Sequence, residues 1–275
     1  MKKKSIAIIM AVLAVVLCVA LAACGGDKAT DGNAASDFAY IKDNGKMVIG
    51  YTLFAPMAYE DADGNLTGFE TEFAKAVCKE LGIEAEFQLI SWAAKETELA
   101  SKNIDCIWNG MTITPERQET MSISTPYMAN KQVLIVKKEN ADKYLKAEDM
   151  KDAKIVAEQE SAGEGVAQTD AFFAEAQYTA VKDQATALKE VKSGVSDGCV
   201  VDYVLSIGMI GEGTDYEDLV VVDSLAFADE EYGIAFRKGS DTTAEVNAAI
   251  SKLVQNGELA KIADNYKLAE QLIAK

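Results

Sequence analysis

The chain has 275 residues, 44 acidic against 27 basic, a formal net charge of −17 and no histidine. Such an acidic surface excludes a nucleic-acid partner, whose phosphates call for a basic stripe, and works against lying flat on anionic lipid. Without histidine the commonest general base and zinc ligand are missing, which weighs against an enzyme while leaving carboxylate or lysine chemistry open.

The first residues read as an export signal. Lys2, Lys3 and Lys4 form a basic start, and an uncharged apolar run from Ile6 to Ala20 follows, ending in small residues. That run is at the short end for crossing a bilayer and has the layout of a secretory signal peptide, placed at residues 1–23. Leu21-Ala22-Ala23-Cys24 resembles the lipobox of bacterial lipoproteins, which implies a lipid on the Cys24 sulfur and membrane attachment through it. Residues 24–36 (CGGDKATDGNAAS) are small and polar, so they read as a flexible tether.

The remaining residues suffice for two domains and alternate strand with helix. Lys46 to Thr52 reads as a strand, and Phe69, Phe73, Ala76, Val77 and Leu81 recur at helical spacing. Glu86 to Ile90 and Ile104 to Trp108 are further strands flanking a helix from Glu96 to Ser101. A second series has strands at Lys154 to Ala157, Tyr178 to Val181 and Gly198 to Val201, with helices from Gly165 to Phe173 and Ala185 to Val191 between them. Such alternation specifies parallel-dominated sheets flanked by helices, an α/β class. Lys131 to Val136 and Leu219 to Asp223, the latter leading into Tyr232 to Phe236, read as two crossovers between lobes. Helices from Thr243 to Val254 and from Leu259 to Leu268 then return to the first lobe. The expected boundaries are 37–131 for the first part of lobe 1, 132–225 for lobe 2 and 226–275 for the return segment. A ligand is expected in the cleft between lobes, beyond the carboxyl ends of the strands.

Cys78, Cys106 and Cys199 sit in apolar contexts and read as buried core thiols, although one bridge between two of them is possible. Asp61, Asp63, Asn65, Thr67 and Glu72 imitate a calcium loop. Leu66 stands where that loop needs glycine, so a plain Asp-Gly turn is expected and no metal.

Arginine usage is selective: 25 lysines accompany only Arg117 and Arg237. A guanidinium fork matches a carboxylate bidentately, which lysine cannot do. Arg237 in FRKGS reads as a solvated surface residue. Arg117 closes Asn109-Gly-Met-Thr-Ile-Thr-Pro-Glu-Arg117, just beyond the strand ending at Trp108, with Pro115 and Glu116 suited to a first helical turn. Trp108 itself reads as core.

Gly68-Phe-Glu-Thr-Glu-Phe-Ala-Lys-Ala-Val-Cys-Lys-Glu-Leu81 resembles the signature of the bacterial extracellular solute-binding proteins, family 3. Asp105 to Arg117 with Ser124-Thr-Pro-Tyr127, and Gly257 to Tyr266, are similar to further blocks of it. The resemblance covers essentially all of the chain beyond the tether. It implies a two-lobed periplasmic-binding-protein-like fold of type II, and a receptor that delivers an α-amino acid to the permease of an ABC importer. Carried over by position, it makes Arg117 and Thr112 the clamp on the ligand carboxylate. Gly110 would offer a carbonyl to the α-ammonium, and Asn109 would border the pocket. Ser161 with the amides of Ala162 and Gly163 would meet the same carboxylate from a helix N-terminus. Asp202 would take the α-ammonium, although by itself it could equally be a helix N-cap. Phe54 would stack on the ligand and Trp92 would close the opposite wall. Glu160 replaces the family's glycine in the lobe 2 turn. No cofactor is implied, and a monomer is expected. Two other readings stay open: a cyclohexadienyl or arogenate dehydratase, for which Glu158 and Glu160 are acids by location, and a tethered amino-acid sensor.

Overall fold

The computed structural model describes residues 36–274. The signal segment, Cys24 and the tether up to residue 35 lie outside the described residues. Among those described, no helix is long and apolar enough to cross a membrane.

Helix α1 (Asp37–Asn44) leads into β1 (Lys46–Tyr51), and the short pair β2 (Tyr59–Glu60) and β3 (Leu66–Thr67) precedes α2 (Phe69–Leu81). Then come β4 (Glu84–Leu89), α3 (Lys95–Ala100), β5 (Cys106–Thr112), α4 (Pro115–Thr120), β6 (Met121–Ile123) and the long β7 (Met128–Lys137). Next are β8 (Lys154–Glu158), α5 (Ala162–Thr169), β9 (Gln177–Val181), α6 (Gln184–Ser193), β10 (Gly198–Asp202), α7 (Tyr203–Met209) and β11 (Leu219–Val221). Strand β12 (Asp229–Arg237) and helices α8 (Thr242–Gln255) and α9 (Glu258–Asn265) close the chain.

Strand order runs β4-β1-β5-β12-β7-β10-β8-β9. On one side β4, β1 and β5 are parallel and β12 joins antiparallel; on the other, β9, β8 and β10 are parallel and β7 joins antiparallel. The two halves therefore share one order without a sequence repeat. Strand β7 links them: Met128 to Lys131 pair with β12, and Gln132 to Val136 pair with β10. These are the two lobes of a type II periplasmic-binding-protein-like fold, with the C-terminal helix α8 returning to pack on α2.

Local chemistry explains the elements. In α2, Phe69, Phe73 and Val77 are fully buried, acids occupy the first turn, and Gly82 ends the helix at φ 68°. Phe73 lies edge-on to Trp108 at 5.0 Å, so Trp108 belongs to the core as expected. Cys78, Cys106 and Cys199 are free and buried, which rules out a bridge among them. Asp61 accepts the amides of Asp63 and Asn65 in a turn that accounts for its side chain without a metal.

Three expectations need correction. Arg237 is not solvated. Its guanidinium pairs with Asp37 at 2.9 Å and Asp105 at 3.3 Å, and it donates to the Leu99 and Ile104 carbonyls. The α1 N-terminus and the turn before β5 fold over the end of β12, and together they enclose the side chain. The strand expected to stop at Trp108 continues to Thr112, because Met111 and Thr112 pair with Gly233 and Tyr232 after a bulge. The helix expected from Gly165 to Phe173 starts earlier, at Ala162, and breaks at Asp170, whose side chain caps a separate turn at Ala171–Phe173.

Candidate ligand-binding site

The β5 bulge positions two site residues. Between the pairs Ile107–Ala235 and Met111–Gly233, β5 carries more residues than β12, and Asn109 and Gly110 lie in the excess. Gly110 adopts φ 60°, and a Cβ there would come within 2.7 Å of the Phe54 ring, so only glycine fits against that aromatic. Its amide donates to both oxygens of Glu70 at 2.8 and 3.1 Å. Tyr127 donates its hydroxyl to the same buried carboxyl. Burial pushes Glu70 up to about 7 against those two donors. Asn109 donates to Thr52 Oγ1 at 2.7 Å.

Thr114 caps α4 by accepting the Arg117 amide, which turns the Arg117 side chain back toward the end of β5. One guanidinium N–H donates to the Thr112 carbonyl at 2.8 Å. Among the described residues no other protein group takes an N–H of this fork. Burial depresses its pKa, opposed by the carboxylates of Glu96, Glu230, Asp202 and Glu160.

From the other lobe, Glu160 holds φ 60°, a left-handed turn ordinarily given to glycine, and Ser161 follows as the N-cap of α5. Ser161 Oγ accepts the Glu164 amide at 3.0 Å. The first amides of α5 lack intrahelical partners and present positive dipole to the cleft. Asp202, at the end of β10, precedes α7 but makes no cap bond with its side chain. Instead its carboxylate accepts from Asn130 at 2.6 Å, Gln132 at 2.8 Å, Tyr232 at 2.8 Å and also Gln184. Burial raises its pKa and these four donors oppose the rise.

One cavity gathers these groups. Phe54, Trp92, Asn109, Gly110, Thr112 and Arg117 line one side, and Ser161, Ala162 and Asp202 face them. Gly163 is not on its wall. A Cβ at Gly163 would meet the Val200 carbonyl at 2.7 Å and Gln132 Oε1 at 2.9 Å, so its visible role is to let α5 approach the sheet. Thr112 lines the cavity, but its hydroxyl donates to Glu230 and is therefore committed to β12. Its hydroxyl is thus not free for the expected clamp, and its carbonyl holds Arg117. Burial and the Asp202 charge push Glu230 up to about 7.

Sequence reasoning did not place Thr52, Leu53 or Gln184 at the cavity, and considered Glu158 only as an enzymatic acid. Glu158 ends β8 and Gln184 begins the helix after β9. Both thus sit at the carboxyl edge of the parallel strands, a position the strand pattern alone marks as ligand-facing. Among the described residues no cluster of metal-ligating side chains occurs.

Comparison with known proteins follows the same lines. The L-cystine-binding protein TcyJ of Escherichia coli (strain K12) is 30% identical over 231 residues, covering 82% of this chain and 84% of that protein. The ABC transporter glutamine-binding protein GlnH of Bacillus subtilis (strain 168) is 31% identical over 265 residues, covering 92% and 94%. Among solved structures, the amino acid ABC transporter substrate-binding protein AbpA from Streptococcus pneumoniae, bound to L-arginine, superposes with a TM-score of 0.74. It is 29% identical, and the match covers 84% of this chain and 98% of that one. The model of the bacterial extracellular solute-binding proteins, family 3, matches residues 47–269, and the chain belongs to that family.

Proposed function

We propose that this chain is an extracytoplasmic receptor that captures an α-amino acid between its lobes and passes it to the permease of an ABC importer. The observation that carries the reading is the placing of a half-buried guanidinium, Arg117, and a buried carboxylate, Asp202, on the walls of one cavity. Opposite charges held apart in a desolvated cleft fit the carboxylate and ammonium of a zwitterion. The names of TcyJ, GlnH and AbpA point the same way, since they bind cystine, glutamine and arginine respectively.

In this reading Arg117 takes the α-carboxylate together with Ser161 and the Ala162 amide, Gly163 lets α5 come close enough to do so, and Asp202 and the Gly110 carbonyl take the α-ammonium. Asn109 and Thr112 hold the clamp in place, and Phe54 and Trp92 enclose the side chain. The lobes divide at 37–131 with 226–275, and at 132–225, so that β7 and the segment leading into β12 serve as hinges. Capture involves no covalent step and no cofactor, and the receptor works as a monomer. Cys24 carries the lipid that holds it at the outer face of the cytoplasmic membrane.

Calorimetry on Arg117→Ala tests the central assignment. The variant is expected to fold and to lose measurable binding of the amino acid that the wild type takes. Unchanged affinity rejects the carboxylate clamp.

A further inference from the structure

We infer that Glu158 selects a dibasic amino acid, meeting a second positive charge at the end of the ligand side chain. This rests on the cleft being an amino-acid site.

Glu158 ends β8 and is only 5% exposed, yet it lines the cavity beside Gln184 and Asp202. Its Oε1 is buried without a hydrogen-bond partner among the described residues, and the carboxyl group's side-chain donor is the neutral Gln184. The other buried carboxylates of this region are all satisfied: Asp202 by four donors, Glu70 by Tyr127 and Gly110, Glu230 by Thr112 and Gln132. A buried carboxylate left in that condition is costly unless something meets it.

The cations nearby are engaged elsewhere. Lys95 donates to the Glu160 carbonyl at 3.1 Å, and Arg117 is held by the Thr112 carbonyl. Neither forms an ion pair with Glu158 within 4 Å. A zwitterion matches Arg117 with its carboxylate and Asp202 with its ammonium, and neither end of it meets the Glu158 oxygen. A positive group at the end of the ligand side chain gives that oxygen its donor. Leu53 and Trp92 on the same cavity wall suit the methylene stem that separates the two charges in a dibasic amino acid.

Calorimetry with two matched pairs tests this: L-arginine against L-citrulline, and L-lysine against L-norleucine. The wild type is expected to prefer the charged member of at least one pair by roughly tenfold or more, the scale of a buried charge-assisted hydrogen bond. Glu158→Gln, which keeps the shape, is expected to erase that preference while retaining the neutral member. Equal affinity within both pairs overturns the inference. So does a Glu158→Gln variant that weakens both members alike, because Glu158 would then be meeting the α-ammonium. The wild-type pairs decide alone if the variant does not fold. A neutral amino acid that shifts the melting temperature when no dibasic one does sinks only this assignment. No response to any L-α-amino acid sinks the receptor reading with it.

Discussion

Lys95 of the first lobe reaches the backbone of the second: its ammonium donates to the Glu160 carbonyl at 3.1 Å and lies 4.8 Å from the Trp92 ring centre. The side chain is 3% exposed, and burial with the neighbouring Arg117 charge lowers its pKa to about 8. The carbonyl it holds belongs to the residue with φ 60° that sets the turn into α5. One bond therefore joins the residue after Ala94 to the turn that sets the helix N-terminus at the cavity, and the stem of Lys95 covers the Trp92 wall.

Lys95→Met keeps the stem over Trp92 and removes the bond across the cleft. The expected result is a loss of ligand affinity of roughly tenfold, carried by faster release, with the melting temperature of the free protein nearly unchanged. Stopped-flow dissociation and small-angle scattering check it. Unaltered release together with an unaltered radius of gyration rejects Lys95 as a closure contact.

Glu70 acts on the site from behind. It fixes the Gly110 amide, and Gly110 packs on Phe54 with no room for a side chain. Glu70→Ala leaves the Gly110 amide and the Tyr127 hydroxyl without their acceptor in a fully buried place. A stability loss of about 3 kcal/mol is expected by denaturant titration, since two buried donors lose their partner. Glu70→Gln retains one acceptor oxygen and is expected to recover most of that loss. If the two variants are equally stable, the Gly110 contact has no structural weight.

Much of this was legible in the sequence because periodicity and end chemistry are local. The alternation of strand and helix and the helix start at Pro115 depend on residues that are neighbours in the chain, whereas the turn at Ser161 came only with the family resemblance. What was not legible depends on long-range enclosure. Arg237 looked solvated in FRKGS, and only the fold brings Asp37, 200 residues earlier, against it. Thr112 was read as part of the carboxylate clamp, but Glu230 claims its hydroxyl across the β5–β12 pairing. Gly163 was read for its amide, while the reason visible in the structure is the closeness of α5 to Val200. Glu158 carried no local signal beyond its place at a strand end.

The buried acids also set a pH dependence. Burial holds Glu70 and Glu230 at about 7 and Glu158 at about 8, above their ordinary value of 4.5. Between about pH 5 and 8 the folded protein then binds more protons than the unfolded chain, so stability falls as pH rises through that window. Lys95, lowered to about 8, acts in the opposite sense only above that pH. The ligand-free protein is expected to melt highest near pH 5 and to lose stability steadily toward pH 8. Glu158→Gln is expected to flatten the upper part of that slope. A melting temperature that rises from pH 5 to 8 contradicts the protonation pattern.

Arg237 offers a control that separates stability from binding. Its fork joins Asp37 on α1, Asp105 before β5 and two carbonyls around α3, none of which touches the cavity. Asp105 is 5% exposed and also accepts the Val48 amide, so removing the guanidinium leaves a buried carboxylate with backbone support only. Arg237→Met is expected to destabilise by about 3 kcal/mol, the usual scale for breaking a buried pair on one side. Its amino-acid affinity at a temperature where it remains folded is expected to equal that of the wild type. Arg117→Ala should give the reverse pattern, with binding lost and stability little changed, because only one of its N–H groups is bonded to protein. If both substitutions lowered affinity alike, the distinction between the arginine that staples the first lobe and the arginine that faces the ligand would fail.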